Sequence, residues 1–294
     1  MFPNFLPRGV YSLKNQNSVY IAANLDRHAI SVPFSEQSIA TAYLNLGEGE
    51  PSILLLHGFD SSLLEYRHLI PLLTAKHKIW AMDLLGFGFT ERVSSLTYSP
   101  QSIREHIYHF WQTLIQRPII IVGASMGGAA AIDFTLNYPE AVSKLVLINS
   151  VGFNGSFPLG QILPEAILEL GTAFWRTRRY GGLFLSQNGW LDAYIEDAII
   201  CAALPSFMPN WSTSLKNFTR SGGYYQLESQ IPLVKKPTLI LWGEQDDVLG
   251  TKAATQFQQA IAGSKLIWLP GLGHSPQWQN PQLVAAHLRE FINS

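Results

Sequence analysis

Ile119-Ile-Ile-Val-Gly-Ala-Ser-Met-Gly-Gly128 spells out a strand, a sharp turn and the start of a helix in immediate succession. Its first four residues are β-branched and apolar, as in a strand buried on both faces. Residues 129–136 then favour a helix. The turn between them is a G-x-S-x-G nucleophile elbow with Ser125 at its apex. Gly123 and Gly127 suit this turn because a side chain at either position would strike the neighbouring strand or helix.

Ser125 is therefore a candidate nucleophile. The predicted turn places it at a helix N-terminus, where free backbone N–H groups stabilise developing negative charge. A five-residue motif also occurs by chance, and a turn rich in Gly and Ala can serve packing alone. A catalytic role requires that the rest of the chain supply a base, an acid and donors for an oxyanion.

The composition of the 294-residue chain is that of a large globular protein without a strong charge bias. Hydrophobic residues make up 47% and charged residues 14%, which suits an extensive core. Lys and Arg number 20 against 21 Asp and Glu, so no nucleic-acid partner is expected. Cys201 is the only cysteine, which excludes an internal disulfide or a Cys-based zinc site and suits a reducing, cytoplasmic compartment.

Residues 1–35 carry no chemical motif and are interpreted as an N-terminal extension. Residues 18–30 have loosely helical apolar spacing. Residues 1–7 are too poor in apolar side chains for a signal peptide, and no run approaches the ~18 apolar residues of a membrane span. We expect the extension to pack on the domain, and contact with a lipid surface is the alternative.

Strands and helices alternate along residues 36–150 and again along residues 231–294. This alternation indicates βαβ units and a mostly parallel sheet, the core of an α/β protein. The predicted strands cover residues 39–46 (an early edge strand), 53–56, 79–83, 119–122, 144–148, 238–243 and 265–269. The predicted helices cover residues 63–73, 101–116, 129–136, 251–261 and 281–292.

The alternation stops over residues 151–230, which show no clear strand. We interpret this segment as a helical cap over the carboxyl edge of the sheet. Its aromatic residues are Phe153, Phe157, Phe174, Trp175, Tyr180, Phe184, Trp190, Tyr194, Phe207, Trp211, Phe218, Tyr224 and Tyr225. Most of these rings would form the core of the cap, and the rest would line an apolar pocket. Arg176, Arg178 and Arg179 are interpreted as a solvated helix face.

Four motifs, taken in chain order, resemble those of the α/β-hydrolase superfamily. They are His57-Gly58 after a strand, Gly-Ala-Ser125-Met-Gly, Trp-Gly-Glu-Gln-Asp246 after a late strand, and Gly273-His274 before the last helix. The resemblance covers residues 36–294 and is looser over the cap. It implies the α/β-hydrolase fold, in which a mostly parallel central sheet is flanked by helices and carries an inserted helical cap.

The resemblance also implies roles for individual residues. Ser125 is the expected nucleophile, His274 the base, and Asp246 the acid that orients the base. Asp247 is the runner-up for the acid. The position that holds the acid in some members of the superfamily, one strand earlier, is occupied here by Asn149-Ser150, which supports Asp246.

Two backbone N–H groups are expected to form the oxyanion hole. The N–H of Met126 follows the nucleophile, and the N–H of Phe59 follows His57-Gly58. The side chains expected at the substrate pocket are His57, Phe59, Phe153 and Trp278. His57 is also expected to brace the oxyanion loop rather than transfer protons, and Asp83 is expected to anchor its own turn.

A Ser nucleophile implies acyl chemistry without a metal or other cofactor. Two narrower resemblances then compete. The region from the elbow to Gly152 is similar to meta-cleavage-product hydrolases, which cut carbon–carbon bonds in vinylogous diketo acids. The N-terminal extension, His57-Gly-Phe-Asp-Ser-Ser62 and Asp83-Leu-Leu-Gly-Phe-Gly-Phe-Thr-Glu-Arg92 look more like cyanobacterial esterase-type hydrolases, a group that resembles chlorophyll dephytylases.

The second resemblance predicts hydrolysis of the carboxylic ester of a bulky apolar substrate, and the phytyl ester of chlorophyll is the sharpest hypothesis. Carbon–carbon bond hydrolysis of the meta-cleavage type is the first alternative. A non-catalytic protein that binds or senses a small molecule on the same fold is an alternative of another class.

Overall fold

The computed structural model of the chain describes residues 1–186 and 191–294. Trp190, one of the aromatic residues expected in the cap, lies outside the described residues. The strands are β1 (Asp26–Ile30), β2 (Ile39–Leu46), β3 (Ile53–Leu56), β4 (Ile79–Met82), β5 (Ile119–Ala124), β6 (Val142–Ile148), β7 (Thr238–Gly243) and β8 (Lys265–Leu269). The α-helices of the described residues are α1 (Gln16–Ala23), α2 (Ile70–Leu73), α3 (Pro100–Phe110), α4 (Met126–Asn137), α5 (Glu165–Ser186), α6 (Ala193–Ala203), α7 (Trp211–Arg220), α8 (Lys252–Ala260), α9 (Pro276–Gln279) and α10 (Pro281–Asn293).

The strands form one sheet in the order β1-β2-β4-β3-β5-β6-β7-β8. Strands β3 to β8 pair in parallel, whereas β2 is antiparallel to both of its neighbours. Alternate residues of β3 belong to different hydrophobic clusters, with Leu54 and Leu56 in one and Ile53 and Leu55 in the other. Both faces of the sheet are therefore covered, and the predicted mostly parallel α/β-hydrolase sheet is confirmed.

The N-terminal segment corrects part of the prediction. Helix α1 ends at Ala23, and residues 26–30, which were expected to continue a helix, form β1 at the edge of the sheet. The sheet thus begins within the predicted extension, and β2 is an inner strand rather than an edge strand. Only Ile30 of β1 is buried, so the strand lacks the alternation that would mark it in the sequence.

The first residues of the chain nevertheless pack on the domain. Leu6, Val10 and Leu13 are buried in the hydrophobic cluster on one face of the sheet. The expected docking of the extension is therefore confirmed for these residues. No helix of the described residues combines the length and the apolar character needed to cross a bilayer.

Two predicted helices differ in detail. The segment expected as a helix over residues 63–73 is a 3-10 helix, Leu63–Tyr66, followed by the short helix α2. Helix α3 passes into a π-helix at Trp111–Ile115. Over residues 151–230, the described part contains α5, α6 and α7 and no strand. The division of the chain into a core and an inserted cap stays a prediction.

Candidate active site

The elbow between β5 and α4 has the strained geometry that its sequence predicts. Ser125 has φ 53° and ψ −121°, an unusual conformation for a residue with a side chain. A Cβ on Gly123 would lie 2.2 Å from the Gly127 carbonyl oxygen, and a Cβ on Gly127 would lie 2.1 Å from the Leu56 carbonyl oxygen. Both glycines are therefore required by close backbone approach.

Three side chains from distant parts of the chain meet at this elbow. The Nε2 atom of His274 lies 3.0 Å from Ser125 Oγ. The Nδ1 atom of His274 lies 3.1 Å from each carboxylate oxygen of Asp246. This arrangement lets the imidazole accept the Ser125 proton while the carboxylate fixes its tautomer. Asp247, the runner-up for the acid, is exposed.

The carboxylate of Asp246 is held by donors besides His274. Its Oδ2 accepts a hydrogen bond of 2.7 Å from Asn149 Nδ2, and its Oδ1 accepts bonds of 2.9 and 3.0 Å from the backbone N–H groups of Val248 and Leu249. Burial acts to raise the pKa of Asp246, but these hydrogen bonds and the one with His274 outweigh it, so the pKa is lowered. The carboxylate of Asp246 is therefore ionised at neutral pH.

Asn149 is a site residue that the sequence reasoning missed. It was noted only as a position without a carboxylate, yet its amide binds Asp246 and its Oδ1 accepts a hydrogen bond of 3.1 Å from the Gly243 backbone N–H. Its φ of 41° is compatible with Asn, which tolerates the left-handed region. Asn149 follows β6, where some members of the superfamily carry the acid, and here its amide instead holds the Asp246 carboxylate in place.

The two backbone N–H groups expected at the oxyanion hole are available. Met126 opens helix α4, and Phe59 follows Gly58 in the loop after β3. Within the described part of the chain, neither N–H has a hydrogen-bond partner. A Cβ on Gly58 would lie 3.3 Å from Ser125 Cβ, so this oxyanion loop passes directly beside the nucleophile.

The buried His57 ring links the oxyanion loop to the turn after β4 through two hydrogen bonds. Its Nε2 accepts a hydrogen bond of 3.1 Å from the Leu84 backbone N–H, and Nδ1 lies 2.8 Å from the Gly58 carbonyl oxygen. Because Nε2 accepts, Nδ1 carries the hydrogen and donates it. Burial lowers the pKa of His57 to about 4, so the ring stays neutral at physiological pH.

Asp83 accepts hydrogen bonds of 2.6 and 2.7 Å from the backbone N–H groups of Leu63 and Phe89, as expected of a residue that anchors its own turn.

Asp60 ties the oxyanion loop to the predicted cap. Its carboxylate accepts a hydrogen bond of 2.7 Å from Trp211 Nε1 on α7. It also forms an ion pair with Arg179 on α5, whose side chain is only 14% exposed. The interpretation of Arg179 as part of a solvated face is therefore wrong, because its partner lies in a distant loop that no local pattern reveals.

A cavity of about 430 Å³ lies over Ser125 and His274. Its apolar lining comes from Phe59, Met126, Val151, Phe157, Trp175, Phe218, Tyr224, Val248 and Leu249. No Lys or Arg is among its described lining residues. A second cavity of about 260 Å³ shares Phe59, Phe157 and Trp175 with it, so the two adjoin along α5. Together they form a trough that is mainly apolar, although Lys216 is among the lining residues of the second cavity.

The predicted pocket residues are only partly correct. Phe59 lines the cavity as expected. His57 is fully buried beneath the loop and does not line it. Phe153 packs instead against Phe257, with ring centroids 4.9 Å apart. Trp278 lines a neighbouring chamber and stacks on Tyr194. The direction of a side chain at a loop position depends on tertiary packing, which local sequence does not record.

Glu65 and Gln277 are two further residues that the sequence reasoning missed. Both line the cavity. Glu65 accepts a hydrogen bond of 3.2 Å from the Gly58 backbone N–H and one of 3.3 Å from Gln277 Nε2. Burial raises the pKa of Glu65 to about 7. Neither residue belongs to a recognisable motif.

The described residues contain no group of three or more His, Cys, Asp or Glu placed to hold a metal ion.

Comparisons with known proteins agree with this fold. Residues 53–287 match the model of the alpha/beta hydrolase family. The alpha/beta hydrolase domain-containing protein VTE7 of Arabidopsis thaliana is 31% identical, over 99% of this chain and 91% of that protein. Monoacylglycerol lipase ABHD6 of Bos taurus is 27% identical, over 83% of this chain and 76% of that protein. The fold is also that of the meta-cleavage product hydrolase CumD of Pseudomonas fluorescens, with a TM-score of 0.67 and 23% identity over 90% of this chain and 97% of the other.

Proposed function

We propose, starting from the fact that the chain belongs to the alpha/beta hydrolase family, that it is a serine hydrolase that cleaves the carboxylic ester of a bulky apolar substrate. One observation carries the proposal. The Ser125 hydroxyl lies 3.0 Å from the imidazole of His274, at the floor of a cavity whose walls are mainly apolar. The site thus pairs an activated nucleophile with a surface that binds hydrocarbon.

The first half of the reaction follows from these positions. Ser125 Oγ attacks the ester carbonyl carbon while His274 Nε2 takes the hydroxyl proton. The N–H groups of Phe59 and Met126 stabilise the oxyanion, an effect typically worth about 3–4 kcal/mol per donor. His274 then gives its proton to the leaving alcohol, and the acyl group remains on Ser125.

The phytyl ester of chlorophyll is the specific substrate that we propose. The resemblance of the oxyanion loop to dephytylase-like hydrolases supports it. The trough formed by the two adjoining cavities also supports it, because a long branched hydrocarbon needs a continuous apolar channel.

We expect the purified protein to convert chlorophyll into chlorophyllide and phytol, as measured by pigment chromatography. Trp175→Ala, which removes a wall shared by both cavities, should lower kcat/KM for nitrophenyl palmitate about tenfold more than for nitrophenyl acetate, because only the long chain reaches that wall. Good cleavage of other long-chain esters without any chlorophyllide would remove the phytyl ester from the proposal.

Carbon–carbon bond hydrolysis is the weaker candidate. Vinylogous diketo acids carry a carboxylate, and recognition of a carboxylate in an apolar cavity normally requires a cationic partner. The described lining of the cavity over Ser125 includes no Lys or Arg, and Lys216, which lines the second cavity, is already paired with Glu165. We therefore expect no turnover of such acids. A purely binding role is addressed by the Ser125 variant discussed below.

We further propose that the cap meets a lipid surface. Ile167, Leu170 and Phe174 on α5 are 50%, 70% and 61% exposed, and their spacing places them on one face of the helix. Adjacent large apolar side chains on a surface mark an interaction site. Ile167 also lines the second cavity, so this exposed face adjoins the trough.

Phe174→Glu should lower co-sedimentation with phosphatidylcholine and phosphatidylglycerol vesicles about tenfold, because burying a Phe side chain is worth about 1.5–3 kcal/mol. Leu233→Glu is the matched control, since Leu233 is 60% exposed but lies outside α5. Turnover of nitrophenyl acetate by both variants reports that the fold is intact. Equal vesicle binding by the Phe174 variant and wild type would contradict the proposal.

A further inference from the structure

A further chamber lies beside the active-site cavity. This side chamber has a volume of about 230 Å³, and its lining includes Ser61, Glu65, Arg67, Ala202, Gln277 and Trp278. It shares Ser61, Glu65, Ser275 and Gln277 with the active-site cavity, so the two spaces adjoin at these residues, one of which directly follows His274. Ala202, on α6, is exposed, so the side chamber reaches bulk solvent there.

The partition between the two spaces is polar. Glu65 Oε1 accepts a hydrogen bond of 3.3 Å from Gln277 Nε2, and Glu65 Oε2 binds the Gly58 N–H of the oxyanion loop. The rest of the active-site cavity is walled mainly by apolar side chains. Glu65 and Gln277 therefore offer a polar path from the side chamber to the active-site cavity.

The side chamber has unpaired polar groups that water would satisfy. Gln277 is 4% exposed, and its Oε1 has no partner among the described residues. Arg67 is 2% exposed, and its Nε and Nη2 atoms are likewise unpaired there, as is Trp278 Nε1. Buried polar groups of this kind are normally paired with ordered water. At about 30 Å³ per water molecule, the volume admits several.

The second half of the proposed reaction needs such a path. A long acyl chain on Ser125 fills the apolar trough and excludes solvent from that side. Hydrolysis of the acyl-enzyme still requires a water molecule beside His274 Nε2. We propose that the side chamber delivers this water through the partition formed by Glu65 and Gln277, an inference that rests on the function proposed above.

Water from the side chamber gives a proton to His274 Nε2 as its oxygen bonds to the acyl carbon. The bond from that carbon to Ser125 Oγ breaks, and His274 returns the proton to Oγ. The carboxylic acid leaves, and the free hydroxyl is restored. Glu65 and Gln277 act as positioning residues, since they hold the water path rather than the reacting carbon.

The test narrows the mouth of the side chamber without touching the trough. Ala202→Phe places a ring at the exposed rim, and Ala198→Leu narrows the same chamber by a smaller change. Ala193→Phe is the matched control, because Ala193 is exposed on the same helix but outside the chamber lining. Stopped-flow release of nitrophenol from nitrophenyl palmitate reports acylation, and steady-state turnover reports the complete cycle.

We expect Ala202→Phe to keep the rate of the first nitrophenol release and to lower steady-state turnover of the palmitate about tenfold. Intact-mass measurement should show palmitoyl enzyme accumulating. Turnover of the acetate, which leaves the trough open to solvent, should match wild type, and Ala193→Phe should match wild type on both esters.

Wild-type deacylation of the palmitate by both chamber variants would overturn the water path. An equal fall in first release and turnover on both esters in both variants would also overturn it, because the defect would then lie in acylation or folding. Absence of any nitrophenol release from the wild-type protein would instead refute the proposed function.

Discussion

Ser125→Ala is expected to lower kcat for ester hydrolysis by about 10⁴–10⁶-fold, the loss usual for removal of a serine nucleophile from such a constellation. The methyl group cannot form the acyl bond, and His274, 3.0 Å away in the native site, is left without a proton to accept. The measurement is turnover of nitrophenyl acetate and of the preferred long-chain ester. Because the change removes a single oxygen atom, the thermal unfolding midpoint should stay near that of wild type.

The matched control is Ser156→Ala. Ser156 lines the same cavity. Its substitution should nevertheless change kcat by less than about threefold, because it takes no part in proton transfer between Ser125 and His274. Ester turnover that survives in the Ser125 variant would show that the nucleophile has been assigned to the wrong residue. A wild-type protein that binds apolar esters tightly without turning them over would support the binding-protein alternative.

Asp246→Asn should lower kcat by about 10⁴-fold, because an amide in place of the carboxylate can stabilise the wrong imidazole tautomer and cannot compensate the imidazolium charge. In the native site, both oxygens of Asp246 lie 3.1 Å from His274 Nδ1. The new amide would also face Asn149, whose Nδ2 now donates to the carboxylate. The measurement is kcat/KM at neutral pH together with the thermal unfolding midpoint.

Asp247→Asn is the control in the neighbouring position. Asp247 is exposed, so the loss of its charge should change kcat/KM by less than about twofold. A larger loss in the Asp247 variant than in the Asp246 variant would exchange the two assignments. It would require the loop after β7 to rearrange when substrate binds.

The central strands could be predicted because burial on both faces leaves a continuous apolar run in the sequence. Residues 53–56 and 238–243 coincide with β3 and β7, and every residue of both strands is buried. Strand β1 could not be predicted in this way. It is an edge strand whose only buried residue is Ile30, and its pairing with β2 depends on a partner that local propensity does not specify.

The same distinction holds within the site. Ser125, Asp246 and His274 stand in recognisable contexts, and the structure brings all three together. Glu65 and Gln277 stand in none, and Asn149 was recognisable only as a position without a carboxylate. The bond between Gln277 and Glu65 joins residues 212 positions apart, so it follows from the packing of α9 against the 3-10 helix after the oxyanion loop. Supporting residues of this kind become visible only when the chain is folded.

The link from Asp60 to Arg179 and Trp211 limits how this protein can be re-engineered. Exchanging residues 151–230 for the equivalent segment of a relative is a natural way to alter substrate range. The incoming segment must place a guanidinium and an indole N–H against the Asp60 carboxylate, as Arg179 and Trp211 do now. A buried carboxylate that loses its partner typically lowers the free energy of unfolding by about 3–5 kcal/mol. Since Asp60 directly follows Phe59, a chimera that lacks those partners would lose stability. It would also lose the alignment of the Phe59 N–H, the proposed oxyanion donor.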